Sequence, residues 1–172
     1  MTESFERELA ATMHEPSFAD AMRRGVFAFD RYRVTMPHIP RAYSRTLLAR
    51  TDEYELVSIH WAPGCVSAIH DHGASRCWVV LLEGTLEIDN FDRLDDGAEI
   101  ARIHHASSAT MRQGQLDHRL NWRELHRVRN TARASAYSLQ LYAAPLTQYT
   151  IVNERTHACT RVASYDNASF QL

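Results

Sequence analysis

From about residue 34 the chain stops repeating every three to four residues and begins to alternate every two. The segments AYSRTLLAR (42–50), YELVSIHWA (54–62), CWVVLLEG (77–84), TLEIDNF (85–91), LHRVRN (125–130) and AYSLQLYAA (136–144) are short and rich in β-branched and aromatic residues. Turn signals separate them at Pro63-Gly64, Glu83-Gly84, Asp95-Asp96-Gly97 and Gln113-Gly114. Side chains two apart on extended backbone share a face, so this period predicts strands, and many short strands with regular turns predict a sandwich or barrel. Ahead of them, Phe5, Leu9 and Met13 recur at helical spacing, and Pro16 opens a second segment with Phe18 and Met22 four apart before Gly25. The expected organisation is mainly β: a single domain over 1–172, with short N-terminal helices over 1–33, a β-barrel body over 34–150 and a mixed tail over 151–172.

Composition narrows the function classes. With 45% apolar residues, 23% charged residues and a formal net charge of −2, the chain can build a core and lacks the basic excess of a nucleic-acid surface. No run approaches the roughly 20 apolar residues of a bilayer-spanning helix, and MTESFEREL has neither the basic start nor the apolar stretch of a signal peptide, so the expected location is the cytoplasm and no membrane partner is expected. Cys65, Cys77 and Cys159 are odd in number and match no CxxC knuckle, which predicts reduced thiols; Cys65 reads as a small buried apolar residue. His104 and His105, in polar surroundings, are poor ligand candidates.

The chemistry concentrates in IHDHGASRC (69–77). On extended backbone His70 and His72 point the same way, a two-toothed metal ligand. A third candidate is His126, which shares a face with Val128 while Arg127 and Arg129 share the other. In AYSLQLYAA, Ser138, Gln140 and Tyr142 form a polar stripe opposite Tyr137, Leu139 and Leu141. Polar side chains on an inner strand need a reason such as a ligand cavity. Each feature also has an ordinary reading, a hydrogen-bonded histidine pair or a solvated strand face.

The spacing joins them. Gly64, five residues, His70-x-His72, four residues, position 77, six residues and Gly84 is similar to the first cupin motif, in which position 77 would be a glutamate ligand. His126-x3-Asn130 matches the end of the second cupin motif, whose Pro-x-Gly is missing here. Cysteine at position 77, with YSR (43–45), LHRVRN (125–130) and SLQLY (138–142), resembles the cysteine dioxygenase family over about residues 40–146. The resemblance implies a cupin fold, a small β-barrel or jelly roll, with a non-haem ferrous ion held by His70, His72 and His126. It implies a thioether between Cys77 and Tyr142, a substrate carboxylate on Arg45 with Tyr43 nearby, and a hydrogen-bonded relay whose outer members are Ser138 and Tyr142. At the centre of that relay stands Gln140 in place of histidine, and an amide cannot titrate near neutral pH.

The implied activity is oxidation of L-cysteine by O2 to cysteine sulfinic acid. Three neutral imidazoles leave the charge of the iron uncompensated, so a thiolate substrate supplies the anion. Relatives that act on 3-mercaptopropionate typically carry glutamine where Arg45 stands, which favours cysteine. Gln140 keeps another small thiol acid open, 3-mercaptopropionate or mercaptosuccinate. The other classes are a non-catalytic metal-binding cupin and a different metal-dependent cupin enzyme, such as an isomerase or decarboxylase.

Overall fold

The computed structural model describes residues 43–120 and 122–164, with the backbone of 169–170. The helices expected over 1–33 lie outside the described residues. Among the described residues, twelve strands follow in chain order: β1 (Tyr43–Arg50), β2 (Glu55–Trp61), β3 (Ile69–His70), β4 (Arg76–Glu83), β5 (Thr85–Arg93), β6 (Ile103–Arg112), β7 (Leu116–Arg119), β8 (Glu124–Arg129), β9 (Ala136–Ala143), β10 (Gln148–Val152), β11 (Cys159–Ala163) and β12 (Ser169–Phe170). They form two six-stranded sheets, ordered β12-β1-β2-β9-β4-β7 and β11-β10-β3-β8-β5-β6. This is the mainly β, double-sheet architecture the alternation predicts.

The main core lies between the sheets. Val57, Ile59 and Trp61 of β2 and Val79 and Leu81 of β4 cluster with Leu86 and Ile88 of β5 and Val128 of β8. A second apolar cluster takes the residues between them: Leu56, Trp78, Val80, Leu82, Leu139 and Leu141. The central strands β2, β9 and β4 therefore bury both faces, which is why CWVVLLEG reads as an unbroken apolar run. The opposite case is β6, most of whose residues are exposed, including His104 and His105. Residues read as a mixed tail supply β11 and β12, and β10 spans the expected boundary at 150.

Polar contacts fix the short segments near the sheet centre. Gly64 N–H donates to Asn130 O at 2.9 Å, and Asn130 N–H donates to Cys65 O at 3.0 Å. The buried Asn130 amide also donates to the carbonyls of Trp61 and Ala134, each at 2.9 Å. The chain entering β3 is thus tied to the chain leaving β8, and their register is set before either strand can slip.

The turn from β4 to β5 requires glycine. Gly84 has φ 86°, and a Cβ there would lie 2.8 Å from Ala136 Cβ and 2.9 Å from Ala136 Cα. The left-handed backbone and the backbone clash both oppose a side chain. Gly84→Ala is expected to lower stability by on the order of 2 kcal/mol or more, read as a lower urea midpoint with an unchanged slope.

Candidate metal centre

His70 on β3 and His126 on β8 are direct partners across an antiparallel ladder. Paired residues project on the same side, here into the space between the sheets. Their Nε2 atoms are 3.2 Å apart. His72 follows β3 and lies outside any strand, so the two imidazoles of the His-x-His pair do not come from one extended segment as expected. They meet nonetheless, with ring centroids 5.3 Å apart and planes at 87°. One ligand atom from each of His70, His72 and His126 lies within 4.8 Å of the others.

The loop carrying His72 is shaped by the residue between the histidines. Asp71 is buried, and its Oδ1 accepts from Gly73 N–H at 2.9 Å and Thr150 N–H at 2.8 Å. Gly73 has φ 56°, and a Cβ there would sit 2.5 Å from Gln148 O. The Asp71 carboxylate and the bare glycine together dock this loop on β10 and turn His72 toward the other two rings.

The cluster fits a divalent metal. His70 Nδ1–H donates to Ala68 O at 2.9 Å, which leaves Nε2 as the lone-pair nitrogen facing His126. Imidazole–metal bonds of about 2.1 Å put adjacent ligand nitrogens of an octahedron about 3 Å apart, close to the 3.2 Å between the His70 and His126 nitrogens. Burial holds all three imidazoles below their ordinary pKa and hence neutral, as ligands must be; for His72 and His126 the neighbouring imidazoles and then Arg119 add to the effect. The buried Nδ1 atoms of His72 and His126 have no hydrogen-bond partner.

These rings form one wall of a cavity of about 180 Å³. Tyr43 and Arg45 of β1 and Gln140 and Tyr142 of β9 add polar groups to its lining, beside the apolar Ile59, Leu146 and Ile151. Arg45 pairs in register with Ile59, and Tyr43 with Trp61. The Arg45 guanidinium carbon lies 5.8 Å from the centroid of the Tyr142 ring. The Tyr142 hydroxyl donates to Gln140 Oε1. Burial pushes the phenols of Tyr43 and Tyr142 above their ordinary pKa, so both stay protonated.

Two residues of the expected set stand behind the cavity wall. Cys77 is fully buried in the main core and lies opposite Tyr142 in the β4–β9 ladder, and burial pushes its thiol up. Ser138 is fully buried, and its Oγ accepts from Trp61 Nε1–H at 3.0 Å. Cys65 is buried in the same core, its thiol raised to about 11 by burial.

Three neighbours of the site were not read from the sequence. Tyr149 of β10 lines the cavity edge-on to His70, with ring centroids 5.9 Å apart. Arg119 lies opposite Cys77 in the β4–β7 ladder and bonds Asp117 at 2.7 Å. Glu55, with no exposed side-chain surface, is ion-paired to Arg45 and to Arg50. Alternation could have found Glu55: it is the one charge on the face of β2 that otherwise carries Val57, Ile59 and Trp61.

The family model for cysteine dioxygenase type I matches residues 20–155. The chain is 30% identical to cysteine dioxygenase type 1 of Rattus norvegicus over 146 residues, 84% of this chain and 68% of that one, and 28% identical to the Homo sapiens protein over the same shares. Among solved structures, a Thermus thermophilus protein superposes with TM-score 0.53 at 16% identity, over 66% of this chain and 94% of its own. A sugar phosphate isomerase of a cupin superfamily from Silicibacter pomeroyi also gives 0.53 at 16% identity, over 79% of this chain and 84% of its own. These two likenesses establish the cupin fold, and with the family match and the curated relatives beside them, the chain belongs to the cysteine dioxygenase family.

Proposed function

We propose that the protein is an iron-dependent thiol dioxygenase that converts L-cysteine and O2 to cysteine sulfinic acid. The observation that carries this reading is the meeting of three neutral imidazoles with the Arg45 guanidinium in one small cavity. In this reading His70, His72 and His126 hold a ferrous ion, which when bound supplies the activation of O2 beside a coordinated thiol. Both oxygen atoms pass to sulfur, so thiol plus O2 equals sulfinic acid and no further reductant is needed.

The protein's own groups select and aim the substrate. Neutral ligands leave the site cationic, which favours a thiolate over a thiol. Arg45 takes the carboxylate by charge-assisted hydrogen bonds and so fixes where the sulfur falls, with Tyr43 beside it on the same strand. Gln140 holds the Tyr142 phenol through its hydroxyl but cannot exchange a proton near neutral pH. Cysteine at 77 keeps a fourth, anionic ligand away from the imidazoles. Gln140 also favours a second reading, in which the substrate is 3-mercaptopropionate or mercaptosuccinate.

The register of Cys77 against Tyr142 supports a thioether between them. Cys77 Sγ bonds a ring carbon of Tyr142, the thiol and that carbon each lose hydrogen, and O2 accepts the two electrons and two protons.

Iron-loaded protein is expected to consume O2 with cysteine and to form sulfinate in equal amount; no cysteine-dependent uptake would overturn the reading. In the same assay Arg45→Ala should lose at least about 30-fold in kcat/KM on cysteine, on the order of 2 kcal/mol, and far less on cysteamine, which has no carboxylate. An equal loss on both thiols removes the assigned role. His126→Ala should retain no stoichiometric iron after gel filtration while keeping a folded circular dichroism spectrum. Normal iron content in that protein would show that His126 is not a ligand. After many turnovers intact mass should fall by about 2 Da, with the Cys77 and Tyr142 peptides still joined after strong reduction. A fully alkylatable Cys77 at that stage rules the bond out.

A further inference from the structure

One edge of the cavity is built by β10 and β11. Tyr149 and Ile151 are two apart on β10 and share a face, and Val162 lies opposite Tyr149 in the β10–β11 ladder. All three line the cavity and are half-buried, whereas Arg45 and Tyr142 are buried. Backbone contacts fix this edge against the candidate ligands. Ile151 pairs with His70 across the β3–β10 ladder, Thr150 N–H donates to Asp71 Oδ1 at 2.8 Å, and Ser164 N–H donates to Thr147 O at 2.9 Å.

Tyr149 brings a phenol to that edge. Its ring stands edge-on to His70, with centroids 5.9 Å apart and planes at 70°. Among the described residues its hydroxyl makes no hydrogen bond. Burial pushes this phenol up and the Arg45 charge pulls it part of the way back, so it stays protonated. Tyr149 in turn adds to the upward push of burial on Tyr43. Arg45, Tyr43 and Tyr149 thus share one electrostatic neighbourhood, although β1 and β10 belong to different sheets. A protonated phenol without a protein acceptor keeps its donor for whatever enters the cavity. Of the groups on a small thiol acid, the carboxylate fits that donor best: it is acceptor-only and has lone pairs to spare beyond those an arginine takes, whereas sulfur is a weak acceptor.

Resting on the reading of Arg45 as the carboxylate-binding group, we propose that Tyr149 is a further specificity-determining residue, whose hydroxyl donates to the substrate carboxylate from the sheet opposite Arg45 and so favours thiols that carry a carboxylate. Tyr149 touches the substrate at its anionic end and takes no part in the oxygen chemistry.

The test compares wild type with Tyr149→Phe, which keeps the ring and its contact with His70 and removes the O–H. Losing a hydroxyl that has no protein partner leaves the fold intact, as circular dichroism and iron content will show. Oxygen uptake by the iron-loaded full chain is measured with cysteine and with cysteamine, and cysteine binding to the ferrous protein is measured by calorimetry without oxygen. In Tyr149→Phe the KM and the anaerobic Kd for cysteine should both rise about tenfold, with kcat and the cysteamine kcat/KM each within about twofold of wild type. A structural role would instead lower kcat on both thiols or reduce the iron content. Cysteine KM and Kd within about twofold of wild type overturn this proposal and leave the dioxygenase reading intact. An equal loss on both thiols also overturns it, and moves the hydroxyl's partner to the metal side of the cavity. Wild-type protein that handles cysteine and cysteamine alike overturns the reading of Arg45, and this proposal with it. If wild type takes up no oxygen with cysteine, the dioxygenase reading falls, and the calorimetric comparison still decides the role of Tyr149.

Discussion

Two imidazole nitrogens facing each other at 3.2 Å across the β3–β8 ladder are the arrangement on which the rest of the centre depends. One of the two strands is only two residues long, too short to hold a register by its own ladder bonds. Its position is set from outside. Asn130 and Gly64 tie the chain before β3 to the chain after β8, and Asp71 docks the chain after β3 onto β10. Burial then keeps the rings neutral, since a charged imidazole in this space would lose its hydration, a cost that outweighs the pull of the nearby Asp71 carboxylate on His70. Arg119, opposite Cys77 on the neighbouring strand, adds a positive charge that opposes protonation further. Neutrality is what lets three histidines sit together without repelling one another as cations, and it is what metal ligation would require of them.

The facing sheet solves the complementary problem of burying polar groups. Buried polar atoms cost about 1–3 kcal/mol each when unpaired, and the inner faces of β1, β2 and β9 carry Arg45, Glu55, Ser138, Gln140 and Tyr142. Each has a partner from another element or from its own strand: Ser138 with Trp61, Tyr142 with Gln140, Glu55 with two guanidiniums. Such a stripe is a standing cost unless it holds something in the cavity. The apolar lining of Ile59, Leu146 and Ile151 keeps the dielectric low there, and every charged contact is stronger for it.

Strong alternation made most of this legible in the sequence. In 54–62 and 136–144 the inner and outer faces follow the period of two, and Ser138, Gln140 and Tyr142 face the core side while Leu139 and Leu141 join the outer cluster. Where the pattern fades, so does the reading. β6 is largely exposed and has no buried face to leave a period. β11 has no fully buried residue, and β3 is too short for any periodicity to show. His72 illustrates a different limit. Its place beside His70 was expected from a shared strand face, but it is reached through a loop that Asp71 and Gly73 bend. Glu55 was missed because a single charge in a strand ordinarily signals an outward face; only its phase with Val57, Ile59 and Trp61 points inward. Cross-strand pairs such as Cys77 with Tyr142 depend on register, which no single segment contains.

Tyr142 joins the two halves of the centre. Its ring is edge-on to His72, with centroids 5.7 Å apart, the Arg45 guanidinium lies over it, Cys77 faces it across the ladder, and its hydroxyl is bound by Gln140. With the ring contacted on several sides and the hydroxyl proton committed to an amide oxygen, the phenol has little freedom to turn. A histidine at 140 would orient the hydroxyl equally well and would add a group that titrates near neutral pH. An amide keeps the orientation and removes the titration. The hydrogen bond between Tyr142 and position 140 is therefore independent of pH across the physiological range, because the phenol is pushed above its ordinary pKa by burial and the amide has no proton to lose. In this chain the geometry around the cavity is held by packing, register and ion pairs, with no switch at the position where a relay would have one.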